Sequence, residues 1–68
     1  MGASKHIKRM LFEKDLKTAV LADKTGKPLQ SVYNQLNRDT WKYGEVEKIA
    51  DLFGCDVVFV DRETGETY

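Results

Sequence analysis

The spacing of apolar residues predicts two short helices in the first third of the chain. Between Ser4 and about Lys14, apolar residues recur at helical spacing, and the Ser4 hydroxyl is placed to cap the first turn. A second apolar segment covers residues 17–24 and stops at Gly26. Glycine adopts the left-handed conformation that ends a helix, so we expect a sharp turn there.

Two further helices are predicted after this turn. Pro28 suits the first turn of a helix, where its missing N–H is not needed, and the third helix runs from it to about Asn37. The fourth runs from about Tyr43 to Phe53, with apolar residues at positions i, i+3, i+4 and i+7. Trp41, in the loop between them, is expected to cover the core, with base stacking as the alternative. The predicted core consists of Ile7, Leu11, Leu21, Val32, Leu36, Val46, Ile49 and Phe53.

The pattern changes after Gly54. Residues 56–61 enclose four consecutive apolar residues, three of them β-branched, which favours a strand. Gly65 can supply the positive φ of a hairpin turn, and the last three residues would begin a returning strand. The predicted fold is therefore mainly α: a four-helix domain with a helix-turn-helix over residues 1–54, then a strand or hairpin over residues 55–68.

The predicted strand has apolar side chains on both faces. If Val57 and Phe59 pack on the helices, Val58 and Val60 point the other way and leave an open edge. Two copies could join these edges across a two-fold axis, which predicts a homodimer with Val58 and Val60 at the interface. The alternative is a hairpin that folds onto its own domain and leaves a monomer.

Composition narrows the function classes. The 68 residues include one cysteine, Cys55, and one histidine, His6, so neither a disulfide within the chain nor a structural zinc site is expected. No catalytic triad or phosphate-binding glycine loop is present, and we expect neither an enzyme nor a cofactor. The chain lacks the ~20 consecutive apolar residues of a membrane span and the apolar segment of a signal peptide. A cytoplasmic protein of bacterial or phage origin is expected.

Charge is distributed unevenly although the formal net charge is zero. Residues 1–42 hold nine basic and four acidic residues, a net charge of +5, and residues 43–68 have a net charge of −5. One end could therefore face a polyanion and the other a different partner. Chance clustering of solvated charges is the alternative.

The third predicted helix has an unusual outward face. Val32 and Leu36 define its apolar side, and the opposite side carries Gln30, Asn34 and Asn37 rather than the usual Glu and Lys pairs. In a helix-turn-helix the second helix lies in the major groove of DNA, where a side-chain amide can both donate to and accept from a base edge. These amides could also be ordinary solvated polar residues.

Three short motifs carry a resemblance to a known family. Leu21-Ala22-x-x-x-Gly26, then Val32-x-x-x-Leu36-Asn37, then Ile49-Ala50-x-x-Phe53-Gly54-Cys55 together resemble the Cro/phage-repressor (xenobiotic-response-element type) helix-turn-helix family. The resemblance covers roughly residues 5–55 and implies a lambda-repressor-like DNA-binding domain. It differs at the turn, where Thr25 replaces a common leucine, Lys27 takes a position that is usually apolar and Pro28 that of the usual Ser or Thr cap.

The resemblance implies where DNA would be contacted. Its base-contacting positions correspond to Leu29, Gln30, Ser31 and Asn34, and its backbone-contacting positions include Thr18, Asn37, Arg38 and Lys42. Tyr33 and Leu29 could pack on the core or contact a thymine methyl group. The nearby cations Lys17 and Lys27 are added to the predicted phosphate contacts.

These features together predict a sequence-specific, double-stranded DNA-binding transcriptional regulator, repressor-like, with residues 28–37 in the major groove. The alternative is a protein-interaction module on the same scaffold, antitoxin-like or adaptor-like, that uses the acidic half and the apolar C-terminal residues. The zero net charge and the altered turn favour the alternative, while the amide face and the basic first half favour DNA.

Overall fold

A computed structural model describes residues 2–68 of the chain, and four short helices account for most of residues 2–54. The four helices are α1 (Ala3–Glu13), α2 (Thr18–Thr25), α3 (Leu29–Arg38) and α4 (Tyr43–Leu52). All four predicted helices are confirmed, with their ends shifted by one residue or so. Within the described residues no helix is long and apolar enough to cross a membrane.

A single apolar core lies between the four helices. Leu21 of α2 and Val32 of α3 are fully buried at its centre. Val46 is only half-buried, so its predicted place in the core is wrong, and Ala22 is buried instead. Trp41 packs against the core, as expected. The buried apolar residues are Ile7, Leu11, Leu21, Ala22, Val32, Leu36, Ile49 and Phe53.

The connection between α2 and α3 is a tight turn of three residues. Gly26 has φ +71°, the left-handed conformation that L-residues with a Cβ rarely adopt. The Lys27 N–H then donates to the Ala22 carbonyl at 3.1 Å, and the Thr25 hydroxyl donates to the Leu21 carbonyl at 2.8 Å. Pro28 is the N-cap of α3 rather than its first residue. This turn sets α3 across α2 and forms the predicted helix-turn-helix.

The first turn of α1 is capped from another part of the chain. We expected Ser4 to be the N-cap, but α1 begins one residue earlier and the Ser4 side chain is buried. Asp39 Oδ1, in the residue that follows α3, accepts the Ser4 N–H at 2.9 Å. The Ser4 hydroxyl accepts the indole N–H of Trp41 at 2.7 Å. The start of α1, the end of α3 and the α3–α4 loop are thereby joined.

The predicted C-terminal strand is wrong. Among residues 55–68 the structure has one isolated antiparallel bridge, between Val60 and Thr67, and no strand. Backbone hydrogen bonds between Phe59 and Tyr68 and from Asp61 to Glu66 close a turn at which Gly65 has φ +77°, as expected. Residues 56–58 form no ladder, because no second strand lies beside them to accept their backbone groups.

Because this strand is absent from residues 55–68, the structure does not support the expected homodimer through it. Val58 and Val60 are exposed, at 46% and 60%, but they belong to an irregular segment and not to an open strand edge. The boundary between a helical domain and a distinct C-terminal segment stays a prediction.

Candidate nucleic-acid interface

The outward face of α3 is polar and carries few charges. Val32 and Leu36 anchor the helix in the core, which leaves Gln30, Ser31 and Asn34 exposed on the other side. The prediction that the amides point outward is confirmed. Tyr33 and Leu29, at 45% and 40% exposed, lie between the two sides, so each retains apolar surface that solvent reaches.

Two of these amides are joined by a hydrogen bond. The Gln30 Nε2 atom donates to Asn34 Oδ1 at 3.3 Å, one helical turn further along α3. This leaves the Gln30 carbonyl oxygen and the Asn34 amino group free on the same face. An acceptor and a donor on one helix face complement the N6 amino donor and the N7 acceptor that adenine presents in the major groove. The pair also restrains two flexible side chains before any contact is made.

Cations lie at the end of α3 and at the starts of the neighbouring helices α2 and α4. Arg38 is the last residue of α3 and Lys42 is the N-cap of α4, and both side chains are exposed. Lys17 is the N-cap of α2, and no side chain caps that helix. Because the first N–H groups of a helix have no partner within it, the start of α2 at Thr18 can donate to an anion.

A comparison with known protein families decides what this arrangement is. A model of the Cro/C1-type HTH DNA-binding domain matches residues 6–58, which include α2, the turn, α3 and α4. The chain belongs to the Cro/C1-type HTH DNA-binding domain family. Searches of curated proteins and of solved structures gave no significant match.

Apart from Lys27, the predicted contact residues lie in three places on this Cro/C1-type domain. The predicted base contacts all lie on the exposed or boundary side of α3; they are Leu29, Gln30, Ser31, Tyr33 and Asn34. Asn37, Arg38 and Lys42 lie around the α3–α4 loop, while Lys17 and Thr18 lie at the start of α2. Their roles in binding DNA stay predictions, but the structure gives each except the half-buried Thr18 an exposed side chain.

Lys27 differs from the other predicted phosphate contacts. Its Nζ atom lies 2.9 Å from Glu45 Oε2 and 2.8 Å from Gln35 Oε1, and 6.0 Å from the centre of the Trp41 ring. The ammonium group is therefore engaged within the domain, and we leave Lys27 out of the proposed phosphate contacts. The partners of Lys27 lie 8 and 18 residues further along the chain. The position of Lys27 in the turn could therefore not predict them.

Glu45 is the acidic centre of this cluster. Its Oε1 atom accepts the Lys42 backbone N–H at 3.1 Å, and its Oε2 atom accepts from Lys27 and from Gln35 Nε2 at 3.2 Å. These hydrogen bonds, the Lys42 N–H first, lower the pKa of Glu45 to about 2. Glu45 is thus ionised at neutral pH and paired, although it lies in the first turn of α4 beside the predicted phosphate contact Lys42.

The sequence analysis assigned no contact to four residues near the predicted site: Gln35, Asp39, Tyr43 and Glu45. No local motif predicts the contact of Asp39 with Ser4 or that of Glu45 with Lys27, since these partners lie 35 and 18 residues away. The contact of Glu45 with the Lys42 N–H is local, and a capping-box pattern at the start of α4 could have indicated it. Tyr43 is 62% exposed at the first residue of α4, next to Lys42, and its position could have been recognised from the predicted start of that helix. Among residues 2–68 no group of three His, Cys, Asp or Glu side chains is arranged to hold a metal ion.

Proposed function

We propose that this protein is a sequence-specific regulator of transcription that binds double-stranded DNA, repressor-like, with α3 in the major groove. The observation that carries the proposal is the exposed Gln30–Asn34 amide pair on the outward face of α3 in a Cro/C1-type domain. Bacterial or phage DNA in the cytoplasm is the proposed target.

Base contacts and phosphate contacts have separate roles in this proposal. Gln30 and Asn34 hydrogen-bond to base edges, with Leu29, Ser31 and Tyr33 beside them for apolar and hydroxyl contacts. Phosphate contacts come from both ends of the face and set the register of α3 along the duplex without distinguishing bases. The proposed phosphate contacts are Lys17, Thr18, Asn37, Arg38 and Lys42.

The test is a binding titration on two duplexes, one selected from a random pool and one of mixed sequence. Gln30→Ala and Asn34→Ala should each weaken binding to the selected duplex by about 1–3 kcal/mol and change binding to the mixed duplex little. Arg38→Ala should weaken binding to both and reduce the slope of log affinity against log salt by about 0.9. Lys14→Met, an exposed lysine at the end of α1, is the matched control.

Two results would contradict the proposal. Equal losses on both duplexes for Gln30→Ala and Asn34→Ala would remove the base-contact assignment and leave nonspecific binding. Absence of any salt-sensitive binding by the wild-type protein would remove DNA binding altogether.

The second candidate is a protein-interaction module, and the C-terminal segment favours it. Phe59 and Val60 are 77% and 60% exposed, and acidic residues surround them. A basic protein surface with an apolar centre would match that combination. Capture of a basic protein partner by the wild-type chain, lost in Phe59→Ser and kept in Gln30→Ala, would support this candidate over DNA binding.

A further inference from the structure

Three polar side chains join the turn, α3 and α4. Lys27 lies in the turn before α3, Gln35 on α3 and Glu45 in the first turn of α4. Lys27 Nζ contacts Gln35 Oε1 at 2.8 Å and Glu45 Oε2 at 2.9 Å, and Gln35 Nε2 donates to the same carboxylate oxygen at 3.2 Å. We refer to Lys27, Gln35 and Glu45 as the polar bridge. Each member contacts both of the others, so the bridge closes on itself.

A surface cleft lies beneath the polar bridge. It has a volume of about 140 Å³ and lies between α2, α3 and α4, above Leu21, Val32 and Ile49, with the bridge and Trp41 at its edge. Helices α3 and α4 make few direct contacts with each other, since each packs mainly against α2. The polar bridge therefore adds a direct connection between α3 and α4.

The same bridge connects the two kinds of proposed DNA contact. Gln35 follows Asn34 on α3 and lies about 100° around the helix from it, so it holds the helix on the side next to the amide pair. Glu45 also accepts the Lys42 backbone N–H through its second oxygen, which fixes the start of α4. A small rotation of α3 against α4 would carry the base-contacting and phosphate-contacting residues out of their common alignment.

We propose that Lys27, Gln35 and Glu45 are positioning residues that hold α3 at the angle at which base and phosphate contacts form together. Lys27 then makes no phosphate contact of its own. This inference rests on the proposed DNA-binding function and names the residues that set its specificity.

Charge supports the assignment of Lys27 to this role. If its ammonium group moved to a phosphate, the Glu45 carboxylate would stay ionised, unpaired and close to a polyanion. That arrangement would cost Coulomb energy and would also remove the hydrogen bond to Gln35. Keeping Lys27 and Glu45 together neutralises the only acidic residue in the first turn of α4.

The decisive experiment uses variants that keep the net charge. Lys27→Met with Glu45→Gln removes one positive and one negative charge and keeps the side-chain sizes, while Gln35→Leu removes an amide and no charge. Affinity for the selected duplex and for the mixed duplex is measured by fluorescence anisotropy at several salt concentrations. Circular dichroism and thermal unfolding establish that each variant is folded, and Lys14→Met is the control.

We expect both variants to lower the ratio of selected-duplex to mixed-duplex affinity by at least about fivefold, the lower end of the loss of one base contact. The slope of log affinity against log salt should not change, whereas loss of a phosphate contact would reduce it by about 0.9. Lys27→Arg, which keeps the ion pair with Glu45, should retain the wild-type ratio.

Three outcomes would overturn the inference. A folded double variant with a reduced salt slope and an unchanged ratio would make Lys27 a phosphate contact. An unchanged ratio of selected-duplex to mixed-duplex affinity in folded Gln35→Leu would show that the bridge does not position α3. This second test does not require the double variant to fold. Absence of salt-sensitive binding by the wild-type protein would overturn the proposed function and this inference together, which distinguishes that failure from the other two.

Discussion

Two large apolar residues of this chain have opposite environments. Leu21, in the middle of α2, is fully buried, and Phe59, in the C-terminal segment 56–68, is 77% exposed. Both lie in runs of apolar residues, at 19–22 and 57–60. The first run belongs to a helix whose apolar side meets helices on either flank, whereas the second has no neighbouring element to cover it. Burial here depends on a packing partner more than on hydrophobicity.

The largest expected effect comes from the buried member of the pair. Leu21→Ala removes a side chain with no exposed surface from the point where α2, α3 and α4 meet, and should lower the free energy of unfolding by about 2–5 kcal/mol. A domain of this size has few kcal/mol to lose, so the variant should be largely unfolded at room temperature. Urea denaturation followed by circular dichroism measures this.

Leu52→Ala is the matched control, because it is the same substitution at an exposed helical position. Leu52 is in α4 and 36% exposed, and its truncation should cost well under half as much. Equal losses for Leu21→Ala and Leu52→Ala would contradict the contrast between buried and exposed apolar positions.

An intermediate effect is expected at the joint between α1 and α3. Asp39→Ala removes the carboxylate that accepts the Ser4 N–H and places alanine at φ +56°, so we expect a loss of stability at neutral pH that is smaller than that of Leu21→Ala. Asp39→Asn is the matched control, because asparagine tolerates this backbone conformation and keeps an acceptor oxygen. Thermal unfolding of the three proteins gives the comparison.

The same position has a defined pH dependence. The Ser4 backbone hydrogen bond holds the pKa of Asp39 below its ordinary value of 3.8. A lowered pKa gives stabilisation that is present above 3.8 and lost as pH falls through the lowered value. The stability difference between wild type and Asp39→Ala should therefore persist at pH 7 and shrink below about pH 3.8. A gap that is constant down to pH 2 would mean that the carboxylate charge does not contribute.

The helical part of this fold was predictable because its signals are local. Gly26 ends α2, Val32 and Leu36 give α3 its buried side, and the exposed amides follow from that side by geometry. The motifs then identified the family, which the match over residues 6–58 confirms.

What could not be predicted depends on residues distant in sequence. Ser4 was expected to cap its own helix, yet Asp39 caps it from 35 residues away. Lys27 is a predicted phosphate contact, and its position in the turn could not show that its ammonium group lies against Glu45 and Gln35. The apolar run 57–60 was expected to form a strand, because β-propensity describes fit to a sheet and cannot say whether a neighbouring strand exists. In each of these three cases, the structure depends on whether a partner lies elsewhere in the sequence.

The smallest expected effect returns to the exposed member of the pair. Phe59→Ser removes an aromatic ring that is 77% exposed, and the backbone hydrogen bonds between Phe59 and Tyr68 do not involve that ring. The free energy of unfolding should therefore change by less than about 0.5 kcal/mol, the range of ordinary surface substitutions, and solubility should rise. Urea denaturation and solution mass, measured for both proteins over a range of concentrations, test this. A loss of unfolding free energy comparable to that of Leu21→Ala, together with a fall in solution mass, would mean that a second chain covers Phe59. The two apolar runs would then differ only in whether their packing partner lies in the same molecule.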